Sequence, residues 1–460
     1  MSDKNKKSYI GLASSFHDPA VAIVSGDGRV LFAEASERYL QNKRAVNYAP
    51  DDLVRMPRLI QKYCGDSELV VAHSWPRSMG RKMGVISQSL KLGSAILPFK
   101  NSVIENDGFA WPTGSVVGGL EWMAESVSRA GMNLRESPYI DKDLVMRGYD
   151  HHLSHAATAC YTSPFQEAAC AIIDGYGGGS ACSFFHYEKG RFKKVKIEGG
   201  WSGGSLGHFY SIVCRLCGFD PVKGEEWKVM GLAPYGKLDT EIYDRFRNLI
   251  GISDLRIIFK IRGRAYLKYL EALKESCEKL CETPEGQANL ACTGQLVFSE
   301  LMTELLNNFY GRGLSHNLIL SGGCALNSTY NGQICEKTKF KNLHVPSAPG
   351  DDGCALGAAL LAYYEDHPQE IRTPKLETPY LGSEISQVTL SHCVEFTKSE
   401  RLKHYPETIA KEAAKILASG GIIGWMQGRA EFGPRALGNR SILADPRPIW
   451  ESDLGPHPEI

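Results

Sequence analysis

The sequence predicts an α/β fold built twice, and three observations carry that prediction. A short apolar strand running into a turn and then a hairpin occurs near the N-terminus and again in the middle of the chain. Glycine-rich turns stand at the ends of apolar elements, at 175–179, 321–327 and 349–353. A histidine pair, His151 and His155, lies just ahead of the middle turn.

In chain order, Tyr9 to Ala13 reads as a strand, Ser14 to Asp18 as a polar turn, and Ala20 to Val24 with Val30 to Ala33 as a hairpin closed through Gly26 and Gly28. The unit recurs as Ala168 to Ile173, a turn from Asp174, and a second hairpin of Ala181 to His186 with Phe192 to Ile197. The repeat is one of architecture and not of letters. Two such halves facing across a cleft are the plan of the actin-like and sugar-kinase-like ATP-binding folds, built from ribonuclease H-like halves. A third part is Asn317 to Leu320, a short strand entering Ser321-Gly322-Gly323-Cys324-Ala325-Leu326-Asn327, and a fourth is the apolar helix from about Ala355 to Tyr364 behind Asp351 and Asp352.

The chemistry concentrates around Asp150-His151-His152-Leu153-Ser154-His155. Asp150 can cap a helix here, Ala156, Ala157 and Ala159 favour it, and Pro164 stops it. On that helix His151 and His155 share one face, the spacing that gives one divalent ion two nitrogen ligands, and Asp174 can add an oxygen. The competing reading is a satisfied surface or core pair. Gly175, Gly177, Gly178 and Gly179 let backbone N–H groups turn toward an anion. Gly322, Gly323 and Asn327 suit close packing against an adenosine, and Asp351 and Asp352 are either helix caps or contacts to a metal or ribose.

Five ordered motifs carry a specific resemblance: Phe16-His17-Asp18-Pro19-Ala20 with Ala22, His151 to Ala156, Lys228-Val229-Met230-Gly231-Leu232-Ala233-Pro234-Tyr235-Gly236, Ser321 to Asn327, and Gly428 to Ser441. From about Tyr9 to Arg447 the chain resembles the O-carbamoyltransferases that act on nodulation factors and other natural products, and more distantly the threonylcarbamoyl transferases of tRNA modification and the hydrogenase-maturation carbamoyltransferase. The resemblance implies a two-stage reaction. A smaller domain, similar to threonylcarbamoyl-adenylate synthases, makes carbamoyl adenylate from carbamoyl phosphate and ATP, and the actin-like domain passes the carbamoyl group to a small hydroxylated acceptor. Carried over by motif, His151, His155, Asp174 and Asp351 would hold a ferrous or similar divalent ion, His17 would be the general base, and Lys228 would act in the cleft.

A carbamoyl carbon is a poor electrophile because nitrogen donates into it, so an adenylate supplies a leaving group and a metal supplies Lewis acidity. Imidazole and carboxylate ligands suit iron or zinc without choosing between them. The acceptor hydroxyl must lose a proton, and histidine is suited to take it near neutrality. The bland reading of His17 is a residue that caps its turn. Lys228, with Glu226, reads either as a phosphate or acceptor contact or as a solvated ion pair. Arg429, Arg435 and Arg440, with Ser441, read as a phosphate-binding cluster or as a solvated basic loop. His208 reads as structural.

Composition sets the setting. The chain has 460 residues, enough for two or three domains, with 52 basic and 52 acidic side chains, so no global field steers it to nucleic acid or an anionic membrane. No apolar run reaches the roughly 18 residues of a membrane helix, and cytoplasmic location is the expectation. The thirteen cysteines are scattered; Cys214 and Cys217 form one CxxC in a helical stretch, and packed thiols are expected there and at Cys277 and Cys281.

The expected organisation is an actin-like transfer domain over 8–370, in halves 8–165 and 166–370 with a charged helical insertion or lobe over the cleft at about 254–311, then a carbamoyl-adenylate-forming domain from 371. Acceptor recognition is expected in Asp51 to Leu144, which matches the family least. Ile449 to Ile460 does not resemble the family's continuation, so the second domain reads as truncated, with a homodimer or a separate chain as candidate partners. Two rival functions stay open: a kinase-like ATP-dependent enzyme using Asp18, and a non-catalytic nucleotide- and metal-binding protein.

Overall fold

The computed structural model describes residues 7–76 apart from Phe16, isolated positions between 78 and 88, 124–137 apart from 126, 144–198 apart from Gly178, 203–397 and 402–447. Most of the stretch assigned to acceptor recognition, and all of Ile449 to Ile460, lie outside the described residues.

Two five-stranded sheets share one strand order. The first holds β1 (Lys7–Ala13), β2 (Ala20–Ser25), β3 (Val30–Ala35), β4 (Glu68–His73) and β5 (Val145–Gly148) in the order β3-β2-β1-β4-β5. The second holds β6 (Glu167–Gly177), β7 (Ser180–Glu188), β8 (Arg191–Lys194), β11 (Asn317–Ser321) and β12 (Asn342–His344), ordered β8-β7-β6-β11-β12, which is the same topology. In each, the hairpin pairs are antiparallel and the crossover pairs parallel. A pair of short strands, β9 (Ile250–Ser253) and β10 (Arg256–Phe259), forms a separate ribbon. The duplicated actin-like α/β architecture expected from the sequence is therefore present.

The apolar runs of β1 and β6 are continuous because both faces of each are covered. Ile10 and Leu12 pack with Met56 and Leu59 of α1 (Arg55–Tyr63), whereas Tyr9 on the opposite face meets Tyr363 edge-on at 5.6 Å. Tyr363 belongs to a late helix, so β1 is sandwiched by elements from opposite ends of the unit. Two helices join the halves: α2 (His151–Tyr161), lying on the second sheet, and the helix Cys354–Asp366, lying on the first. They pack closely because their contact is made by small residues. A Cβ on Gly357 would stand 1.9 Å from the carbonyl oxygen of Ser154. The division at 165/166 consequently needs correction, since each of these helices covers the sheet built by the other sequence half.

The stretch 254–311 also needs correction. Helices α3 (Leu206–Leu216), α4 (Glu226–Leu232), α5 (Thr240–Leu249), α6 (Gly263–Leu280) and α7 (Pro284–Tyr310) follow β8, and α7 is core. Its Leu290, Val297, Phe298, Leu301, Leu305 and Phe309 are buried with Ala171, Ile173 and Phe184 of the second sheet. A buried Leu or Phe of this kind contributes about 1.5–3 kcal/mol. Helix Cys354–Asp366 is α8.

The first compact unit runs through Glu377 and a second begins at Thr378. The boundary moves from 371 because Arg372 is buried in the first unit, donating from Nε to the Tyr161 carbonyl at 2.7 Å and from its guanidinium to the carbonyls of Ser163 and Lys375. The second unit contains α9 (Gln387–Thr397), α10 (Ile409–Ala418) and the antiparallel pair β13 (Ile423–Met426) and β14 (Arg440–Leu443). No helix among the described residues is long and apolar enough to cross a membrane. None of the cysteines is paired, and Cys214 and Cys217 are buried in the apolar core of the first unit.

Candidate metal centre and its surroundings

Helix α2 starts where Asp150 caps it, its carboxylate accepting from Leu153 N at 2.9 Å. One turn apart on its inner face, His151 Nε2 and His155 Nε2 lie 3.2 Å from each other. Asp174 enters from β6 and Asp351 from the turn ahead of α8. His151 Nε2 is 3.4 Å from Asp174 Oδ2 and 3.5 Å from Asp351 Oδ1, and His155 Nε2 is 4.0 Å and 3.4 Å from the same atoms. All four residues are buried.

These separations test whether the set fits a metal. Two ligands each about 2.1 Å from an ion at tetrahedral angles stand about 3.4 Å apart. The pairs measured here, 3.2–4.0 Å, bracket that spacing before any ion draws the atoms together. Two imidazole nitrogens and two carboxylate oxygens are a donor set for a borderline divalent ion. Burial opposes charge on His151, yet Asp351 and then Asp174 push it up to about 10. Burial likewise opposes charge on Asp174 and Asp351, and the histidines still hold both carboxyls well below their usual range. The cluster thus concentrates negative charge at a point where a cation would replace the proton.

The support around these ligands explains several glycines. Gly323 N–H donates to Asp174 Oδ1 at 2.9 Å, which turns Oδ2 toward the histidines. Gly322 makes this possible with a φ of 92°, and its Cβ would meet the Ile173 carbonyl oxygen at 2.4 Å. The glycine turn thus positions Asp174. Of the expected phosphate turn, Gly175 to Gly177 continue β6, which is irregular between Ile173 and Gly177, where Gly177 pairs with Ser180. Gly175 is tied there by its carbonyl, which accepts from Ser205 Oγ at 2.6 Å, and Gly178 lies outside the described residues. A Cβ on Gly177 would lie 2.3 Å from His151 Cδ2. Gly177→Ala is therefore expected to push α2 and β6 apart, destabilising the fold by about 1–3 kcal/mol and lowering bound metal together with the melting temperature.

His17 sits at the edge of the cluster. Its Nδ1 is 2.7 Å from Asp18 Oδ2 and 3.9 Å from Asp351 Oδ2. Asp18 is in turn 3.5 Å from Arg44 Nε. Burial works to raise Asp18, but His17 and then Arg44 keep it below its ordinary value. The carboxylate that a kinase-like reading would need is thus committed to a histidine and an arginine. Asp352 is different: burial, then Asp18 and Glu37, hold its carboxyl well above the usual range, and Oδ1 accepts from Gly353 N at 2.9 Å.

Lys228 is not brought to this cluster. It pairs with Glu225 at 3.0 Å and lies near the rings of Phe219 and Trp227, partly exposed. Its neighbour Glu226 lies within electrostatic reach of Arg44 and His17, and burial raises its carboxyl. Asn327 is consumed structurally: its amide exchanges hydrogen bonds with Gln295 at 3.0 and 3.1 Å, and Oδ1 accepts from Tyr330 N. His208 Nε2 contacts Tyr266 Oη at 3.1 Å, and burial lowers it to about 4.

In the second unit, the expected arginine cluster is a built loop. Arg440 donates to the carbonyls of Gln427, Asn439, Ser383 and Gly428, and Arg429 donates to those of Gly382 and Leu381. Ser441 Oγ accepts from Gly438 N at 3.0 Å. These guanidiniums are spent on backbone rather than held out for phosphate; Arg435 lies in the same loop. Glu431 Oε1 accepts N–H from Leu437, Asn439 and Arg440 at 2.9, 2.9 and 3.0 Å. Burial opposes its charge, but those bonds bring it down to about 2. Its folded value lies below the ordinary value of about 4.3, so this stabilisation is present above that pH and is lost as pH falls toward 2. Glu431→Gln is expected to speed hydrogen exchange at Leu437, Asn439 and Arg440 at neutral pH and to remove that acid-dependent loosening.

Three neighbours of the cluster carried no sequence signal. Trp75, just past the end of β4, stacks on His151 with ring centroids 4.4 Å apart and fixes its orientation. Arg44 reaches Asp18 only through the fold. Cys354, at the start of α8, offers sulfur near both histidines, but burial holds its thiol well above the ordinary value and its Sγ faces the His151 carbonyl.

The sequence matches the family model "Carbamoyltransferase N-terminus" over residues 109–360 and "Carbamoyltransferase C-terminus" over 414–452. An uncharacterised protein of Methanocaldococcus jannaschii is 34% identical over 65% of this chain and 51% of its own length. Nodulation protein NolNO of Sinorhizobium fredii is 33% identical over 66% of this chain and 44% of its own, and nodulation protein U of Rhizobium fredii is 27% identical over 96% and 72%. The chain thus spans about half the length of the first two relatives. A solved structure of full-length HypF in a phosphate- and nucleotide-bound form aligns with 78% of this chain and 55% of its own, at 14% identity and a TM-score of 0.44. With the N-terminal family model alone covering more than half of the sequence, this chain belongs to the carbamoyltransferase family.

Proposed function

We propose that this chain transfers a carbamoyl group to a hydroxyl of a small natural-product acceptor, drawing it from carbamoyl phosphate through an adenylate made with ATP. The observation that carries this reading is the convergence of four buried ligand atoms with a His17–Asp18 pair at their edge. His151, His155, Asp174 and Asp351 would hold a ferrous or similar divalent ion. Bound there, such an ion supplies Lewis acidity toward a carbonyl or phosphate oxygen.

The remaining work falls to the chain's own residues. With ionised Asp18 as acceptor, His17 carries its proton on Nδ1, which leaves Nε2 as the basic nitrogen. That nitrogen takes the proton of the acceptor hydroxyl as the hydroxyl oxygen attacks the carbamoyl carbon, the bond from that carbon to the adenylate's phosphate oxygen breaks, and AMP departs. Trp75 and the buried face of α2 keep the ligands oriented in a buried site. Lys228, Asn327, Arg429 and Arg440 have no part in this proposal, because each is engaged elsewhere.

The test is release of AMP and pyrophosphate by anaerobically purified protein given ATP, a divalent ion and carbamoyl phosphate, followed by a panel of hydroxylated acceptors. Release that depends on carbamoyl phosphate, with carbamate ester formed on at least one acceptor, supports the reading. ATP turnover indifferent to carbamoyl phosphate would overturn it in favour of a kinase-like enzyme.

A further inference from the structure

We infer that Arg44 is a positioning residue: its backbone and guanidinium together hold Asp18 so that His17 keeps a single ring orientation beside the metal centre. The inference rests on the reading of His17 as the base and adds the part that fixes it.

Three independent features meet at Arg44. The first is reciprocity with the Asp18 turn. Asp18 N donates to the Arg44 carbonyl at 2.8 Å, while Arg44 Nε lies 3.5 Å from Asp18 Oδ2, the same oxygen that faces His17 Nδ1 at 2.7 Å. Asp18 itself has a φ of 54°, so its turn is held by contacts and not by preference. The second is the backbone of the segment. Gln41, Arg44, Ala45 and Asn47 all have positive φ, at 51°, 62°, 41° and 65°. None is glycine, and such a run persists only where the surroundings impose it, as happens at working sites. Arg44 N is pinned by Glu37 Oε2 at 3.0 Å, and Lys43 pairs with the same carboxylate.

The third feature is that Arg44 crosses to the other half. Its Nη1 donates to the Pro221 carbonyl at 2.8 Å, and its aliphatic stem packs on Gly224, where a Cβ would come within 2.8 Å of Cδ. Asp18, Glu226 and Asp351 surround the guanidinium electrostatically. A planar fork can serve a carboxylate and a carbonyl at once, whereas an ammonium serves them from one point. The side chain therefore acts as a strut from the second half to the carboxylate that orients the histidine of the first.

The experiment reads the His17 ring directly in the full-length, zinc-loaded chain with ¹⁵N-labelled histidine. The His17 signals are those lost in His17→Gln. The wild type is expected to show one tautomer, protonated at Nδ1. In Arg44→Met the two nitrogen shifts are expected to move toward each other as tautomers mix, with bound zinc unchanged, and Arg44→Lys is expected to recover part of the wild-type pattern. Wild-type shifts in Arg44→Met would overturn the inference. Should that variant not fold, Arg44→Lys decides alone, since wild-type shifts there would show that the fork is not needed. The two readings fail separately. Full transfer activity in His17→Gln would remove the base and leave the Arg44 result standing.

Discussion

His151→Ala is expected to lose the divalent ion and, with it, carbamoyl transfer. The imidazole is the hub of the cluster, within 3.5 Å of His155, Asp174 and Asp351 at once. Losing a partner that merely supports a ligand costs roughly 10–100-fold in metal affinity, so loss of a ligand should cost about 100-fold or more. The metal-free variant should also be less stable, by about 3 kcal/mol, because two buried carboxylates then face each other with one cation fewer. Elemental analysis after anaerobic reconstitution reads the first effect and denaturant unfolding the second. His152→Ala is the matched control. Its Nδ1 contacts Ser183 Oγ at 2.8 Å and it lies outside the ligand set, so that variant should keep its ion.

His17→Gln is expected to separate binding from chemistry. A positioned base contributes about 10²–10⁴-fold, so transfer should fall by that factor while the ion stays bound. His17 stands 3.9 Å from Asp351 and is not among the converging ligands. Pyrophosphate release in the first turnover, which accompanies adenylate formation and needs no proton from the acceptor, should continue, whereas AMP leaves only as the carbamoyl group is transferred. Labelled carbamoyl phosphate followed into product, beside first-turnover pyrophosphate release in the same reaction, distinguishes the two steps. Equal loss of both would remove His17 from the role of base.

Much of the fold was legible because its signals are local. The continuous apolar letters of β1 and β6, each followed by a hairpin, announce the buried centre of a sheet, and their repetition announces the duplication. The His151 and His155 spacing with Asp174 downstream was legible for the same reason. What failed depended on partners far along the chain. The charged letters between 254 and 311 concealed the buried face of α7, whose apolar residues are recognisable as core only once the second sheet is opposite them. Asn327, Arg429 and Arg440 have the chemistry of ligand contacts, and nothing local reveals that Gln295 or backbone carbonyls consume them. Arg44 and Trp75 were invisible for the converse reason. One enters through a left-handed segment without glycine, the other by stacking across the sheet end.

The most direct test of the account is X-ray absorption of the anaerobically reconstituted chain. One divalent ion per chain is predicted, with nitrogen and oxygen neighbours at about 2.0–2.2 Å and no sulfur at about 2.3 Å. It should be lost from both His151→Ala and Asp351→Asn. An ion retained by both variants, or one with a sulfur neighbour, would place the metal elsewhere and contradict the site described here.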